Sequence, residues 1–135
     1  MSFIKEKSGF NVESAKELIK LNYYAPSVHC SYYGSFQYMK YALRKCKNTT
    51  YEQIESDSLN YRSGSHGYVI DNILAELRGK IKNTKDFVYI KRIIKDLKTF
   101  RTNSDYFNIQ ILLDDAEKSL KFSEEIINTI KTNIA

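Results

Sequence analysis

Proline and glycine are nearly missing from this chain: one proline and five glycines in 135 residues. Sheet proteins turn every 8 to 12 residues or so and draw heavily on both types, so their scarcity excludes most all-β architectures and favours long helices. Uninterrupted apolar runs are also missing. None exceeds five residues, and charged side chains make up 27% of the sequence, which excludes a membrane span. The amino terminus has no basic segment followed by an apolar stretch, so a secreted precursor is not expected. Only two cysteines and two histidines are present. Cys30 and Cys46 fall on one expected helix, where sixteen residues span about 24 Å, too far for a disulfide. That spacing fits a reducing cytoplasm, and no Cys/His set with zinc spacing exists. Phosphate-binding glycine loops, His-Glu-x-x-His and nucleophile elbows are absent as well, so neither a metal nor a cofactor is implied.

What is present is helical periodicity, and 42% hydrophobic residues give enough apolar material for the core of one domain spanning residues 1–135. A first helix is expected from an Asn11 N-cap through Val12, Ala15, Leu18 and Ile19 to about Asn22. A second starts at Pro26 and carries Val28, Tyr32, Phe36, Met39, Leu43 and Cys46 at spacings of three and four. Gly34, in its middle, points to close approach of another backbone. Residues 47 to 67 read as a polar connection with room for a short helical turn. A third helix follows with Val69, Ile73, Leu77 and Ile81, and a fourth with Phe87, Ile90, Ile94, Leu97 and Phe100. The short link between them predicts antiparallel packing. The fifth runs from Ile109 to Ile134. The expected fold is all-α, an antiparallel bundle of four to five helices.

Charge is concentrated. Residues 78 to 101 hold nine basic and two acidic side chains, whereas residues 102 to 135 hold three basic and six acidic ones. Lys91, Lys95 and Lys98 lie on one face of the fourth helix, opposite Ile93, Leu97 and Phe100. They are either an ordinary wet face or a strip for the phosphates of RNA or of a nucleotide. Arg101 falls on the apolar side instead, so its guanidinium needs partners, with Asp105 and Tyr106 in reach. Structural pairing and anion handling both remain open for it. His66, in the Ser63-Gly-Ser-His-Gly67 run, is placed as a loop residue able to act as acid or base, or as an inert one. His29 reads as a packing or surface residue. Six of the eleven tyrosines fall between positions 23 and 41. Most are expected in the core or at its boundary, and base stacking or a dimer face is the alternative.

The order of several short segments is similar to the HEPN family of small prokaryotic helical proteins. The segments are Ser14-Ala-Lys-Glu-Leu18, Ser31-Tyr-Tyr-Gly-Ser-Phe36, Ser65-His-Gly-Tyr-Val-Ile70, Arg101-Thr-Asn-Ser-Asp-Tyr106 and Asp115-Ala-Glu-Lys-Ser-Leu120. The likeness extends from about residue 11 to residue 131. It implies a homodimeric helical bundle of toxin-antitoxin or defence loci, often beside a nucleotidyltransferase-type antitoxin. It also implies a metal-independent endoribonuclease in which an Arg and a His, separated by four to six intervening residues, share a cleft. The histidine would activate a ribose 2′-hydroxyl while the arginine steadies the phosphorane. This chain departs from that signature, because Asp105 and Tyr106 follow Arg101 with no histidine, and only three residues, Ser63-Gly-Ser65, separate Arg62 from His66 in an expected loop. A tyrosine such as the one at position 106 is a poor base, because phenols ordinarily lose their proton only at about pH 10. The implied catalytic set is therefore Arg101 on the phosphate, His66 for proton transfer, and Asp105 with Tyr106 orienting Arg101. Lys91, Lys95, Lys98 and Arg62 are the expected nucleic-acid contacts. The rival expectation is a non-catalytic interaction module.

Overall fold

The computed structural model describes residues 2–134, and their regular structure is entirely helical. Helices α1 (Phe3–Lys20), α2 (Tyr24–Cys46), α3 (Tyr51–Ser58), α4 (Gly64–Lys80), α5 (Thr84–Tyr106) and α6 (Leu113–Asn133) follow one another in the chain. Each of the other five packs against α2, the central rod.

Helix α1 starts well before Asn11. The Ser2 hydroxyl accepts from the Lys5 N–H at 3.2 Å and caps it, while Asn11 lies mid-helix and donates its amide to Gln37 at 2.8 Å. The early start has weak apolar periodicity because α1 docks through small residues. Ser8 and Ala15 are its buried positions, and Phe3 and Phe10 are exposed. The Ser8 hydroxyl donates to the Gly34 carbonyl at 2.6 Å, and Ser27 of α2 donates to the Ala15 carbonyl at 2.8 Å. The expected close approach at Gly34 is real: a Cβ there would lie 2.8 Å from Val12 Cγ2 and 3.4 Å from the Ser8 carbonyl oxygen. Gly34→Ala should therefore push α1 outward and cost about 1–3 kcal/mol, read as a lower urea midpoint at unchanged m-value.

Asparagine takes the place that glycine leaves vacant. Asn22 and Asn48 adopt φ of 63° and 49°. Each closes its helix with the paired end bonds of a Schellman motif, Tyr23 N–H to Leu18 O and Asn22 N–H to Ile19 O, then Thr49 N–H to Arg44 O and Asn48 N–H to Lys45 O.

The polar connection contains a full eight-residue helix, α3, capped by Thr50 and anchored by buried Ile54. This helix brings the count to six, beyond the four to five expected. At the other end, α6 begins at Leu113 rather than Ile109. Ile109 is exposed in the 107–112 segment, and the Asp115 carboxylate accepts from the Leu112 N–H at 2.9 Å to start the helix. Val69, Ile73 and Leu77 of α4, Ile90, Ile93 and Leu97 of α5, and Ile126 and Ile130 of α6 bury against Tyr32, Met39 and Leu43 of α2. The periodic apolar positions read from the sequence thus face one core.

Candidate functional site

Three helices bring their polar residues together at one end of α5. Helix α2 presents His29, Tyr32, Tyr33 and Phe36, spaced by three and four so that they share a face. Helix α5 presents Arg101 and Asp105 one turn apart, and Tyr106 is its last residue. Helix α4 contributes His66 from its first turn, which starts at Gly64 with φ of +85°, a conformation that favours glycine.

Arg101 faces inward, as its place on the helix wheel predicts, and its side chain is 13% exposed. Its Nε donates to Asp105 Oδ2 at 3.0 Å, and its Nη2 donates to the Tyr33 hydroxyl at 2.8 Å and the Tyr106 hydroxyl at 3.2 Å. The pair with Asp105 is a single contact, not the bidentate one in reach by spacing. The rings of Tyr32, Tyr33 and Tyr106 lie 5.2–5.3 Å from the guanidinium carbon, a three-sided aromatic sheath. Asp105 sits in the last turn of α5, where the helix dipole disfavours a carboxylate. Two partners offset this: Arg101, and His29, whose Nδ1 lies 2.9 and 3.1 Å from the two carboxylate oxygens.

His66 is not a loop residue. It is half-buried within α4, stacked on Phe36 at 4.2 Å between ring centroids, with its Nδ1 2.8 Å from the Tyr32 hydroxyl. Burial first, then the charges of Arg101, Lys98 and Lys40, push its pKa down from the ordinary 6.5 to about 4. At neutral pH the ring is uncharged. Burial likewise pushes the Tyr32 and Tyr33 hydroxyls upward, so both stay protonated there. Because folding keeps His66 neutral, the unfolded chain binds a proton between about pH 6.5 and 4 that the folded chain refuses. Stability should fall as pH drops through that window. His66→Gln should flatten the fall, and urea midpoints at several pH values, compared between variant and parent, check it.

Tyr33 joins the two halves of the site. Its ring lies 4.7 Å from the His29 ring and 5.7 Å from the His66 ring, while its hydroxyl accepts from Arg101. Lys91, Lys95 and Lys98, together with Arg92, line a groove of about 430 Å³ between α4 and α5 whose floor is Ile70, Leu74 and Ile94. A smaller cavity of about 280 Å³ is lined by His66 and Phe36 together with Lys40 and Glu55. Arg62 stands apart in the turn before α4, exposed and stacked over Tyr61. A groove of about 610 Å³ between α1 and α6 contains none of these residues, and its lysines are matched by Glu13, Glu124 and Glu125.

A family model described as the HEPN domain matches residues 63–133. The chain belongs to the HEPN family. The matched segment covers α4, α5 and α6, and with them His66, the lysine strip, Arg101, Asp105 and Tyr106. It is shorter than the likeness read from the sequence, which began near residue 11. His29, Tyr32 and Tyr33 lie outside it, although they complete the surroundings of the HEPN-segment arginine. No curated protein and no solved structure matches this chain at comparable significance.

Arg101, Asp105 and Tyr106 come together as their spacing along one helix predicts, and His66 reaches the same cluster through Tyr32. His29, expected as a packing or surface residue, joins it through Asp105. The available signal was its position three and four residues before Tyr32 and Tyr33, on the face that meets Arg101.

Proposed function

We propose that this HEPN protein is an RNA-directed, metal-independent endoribonuclease of a toxin-antitoxin or defence module, working in the cytoplasm as an antiparallel helical bundle. The observation that carries this reading is the Tyr33 junction, which brings one oriented guanidinium within a ring contact of two imidazoles. Arg101 would take the scissile phosphate. Asp105, Tyr33 and Tyr106 hold its Nε and Nη2 in place, so the planar fork is oriented before any substrate arrives. The strand would approach along the groove of Lys91, Lys95 and Lys98, whose charges complement a sugar-phosphate backbone. Beside the site, Tyr106, Phe107, Ile109, Leu112 and Leu113 are exposed in succession, an apolar surface suited to a second copy of the chain or to a nucleotidyltransferase-type antitoxin.

The depth of Arg101 favours a second reading, a non-catalytic module in which the arginine locks α2 to α5. One assay separates the two. Purified protein and the Arg101→Ala variant are incubated with labelled single-stranded RNA in EDTA. Cleavage by the parent that disappears in the variant supports the nuclease. No cleavage by either, with the variant melting several degrees lower, supports the module.

A further inference from the structure

His29 carries a feature the HEPN segment does not supply. Its imidazole is 47% exposed, yet Nδ1 is held by the Asp105 carboxylate, which is 18% exposed. An ionised carboxylate only accepts hydrogen bonds, so the proton of the neutral ring must sit on Nδ1. The lone pair is then on Nε2, which makes no hydrogen bond among the described residues. Asp105 Oδ2 also accepts from Arg101 Nε at 3.0 Å, so one carboxylate oxygen sets both the imidazole and the guanidinium. Tyr33 packs against the other side of the pair, its ring on His29 and its hydroxyl on Arg101.

We infer that His29 is the general base of this site: Nε2 takes the proton of a ribose 2′-hydroxyl while Arg101 holds the adjacent phosphate, and Asp105 is the positioning residue that joins them. The assignment rests on the RNA-cleavage reading above. As the proton leaves, the 2′-oxygen bonds to phosphorus and the bond from phosphorus to the 5′-oxygen breaks. The 5′-oxygen takes a proton from water, and the hydroxide left behind recovers the proton held by the imidazolium. The products are a 2′,3′-cyclic phosphate and a 5′-hydroxyl, with nothing oxidised or reduced.

His66 is built for a different task. Its Nδ1 is occupied by Tyr32 in either tautomer, its face is stacked on Phe36, and burial beside Arg101 and Lys98 makes it reluctant to accept a proton. It forms a wall of the site that helps to place Tyr32 and Tyr33 around the guanidinium.

The test uses the whole chain with labelled single-stranded RNA in EDTA. His29→Ala should cleave about 100- to 1,000-fold more slowly than the parent, with partial recovery on adding imidazole. His29→Gln can still bond Asp105 but cannot take up a proton, and it should be as slow. In Asp105→Asn, the nitrogen shifts of the His29 ring should report loss of the Nδ1–H tautomer. Cleavage at the parent rate by either His29 variant, or a loss that imidazole never restores, overturns this assignment and leaves the cleavage reading standing. A parent protein that cleaves no more than Arg101→Ala overturns both.

Discussion

Arg101→Lys is expected to lower RNA cleavage about 100- to 1,000-fold, nearly as far as alanine does. Lysine keeps the positive charge, so a site that only needs charge would survive the exchange. The arginine, however, is held by two different nitrogens: Nε on Asp105, and Nη2 shared between Tyr33 and Tyr106. An ammonium at the end of a flexible stem cannot span these partners in one plane and still present a flat edge to a phosphate. The tyrosine rings around it match a guanidinium face better than a compact, strongly hydrated ammonium. Cleavage rates in EDTA, with circular dichroism to confirm folding, check the expectation. A lysine variant within threefold of the parent would mean that the fork geometry is irrelevant.

Leu97→Ala is expected to cost about 2–5 kcal/mol of folding stability, a large share of what a domain of this size has. Leu97 is 1% exposed, in the core between α5 and its neighbours, and the residues around it are fixed by packing from α2, α4 and α6. It also lies one turn before Arg101 on the same helix face. The cavity should therefore loosen the end of α5 that carries Arg101 and Asp105, so activity should fall more steeply with temperature than in the parent. Urea unfolding gives the stability change, and cleavage rates across a temperature series give the coupling. A loss under 1 kcal/mol would contradict the burial.

The helices were legible wherever burial follows a 3.6-residue period. Val69, Ile73 and Leu77, and Ile90, Ile93 and Leu97, announce their faces through side chains large enough to dominate the pattern. Where a helix packs through small residues the signal vanishes. Ser8 buries the first half of α1, which lacks the apolar spacing that Val12, Ala15, Leu18 and Ile19 give the second half, and Asn11 imitates an N-cap although it faces Gln37 from mid-helix. The eight residues of α3 are too few to show a period, and Ile109 fits the α6 pattern by spacing alone while pointing into solvent. The site divides along the same line. Arg101, Asp105 and Tyr106 are neighbours in sequence, so a helix wheel brings them together. His29 is 76 residues from Asp105, and only the packing of α2 on α5 joins them. His66 sits next to serine and glycine, which reads as a flexible loop, but Gly64 starts a helix there and Phe36 covers the ring.

The most direct test of an Arg101-centred phosphodiester site compares one labelled single-stranded oligoribonucleotide with its fully 2′-deoxy counterpart, both in EDTA, followed by analysis of the product ends. Cleavage of the ribose strand alone is expected, with 2′,3′-cyclic phosphate and 5′-hydroxyl ends, and none by Arg101→Ala. Cleavage of the deoxy strand, equal cleavage by the alanine variant, or an intact ribose strand would contradict it.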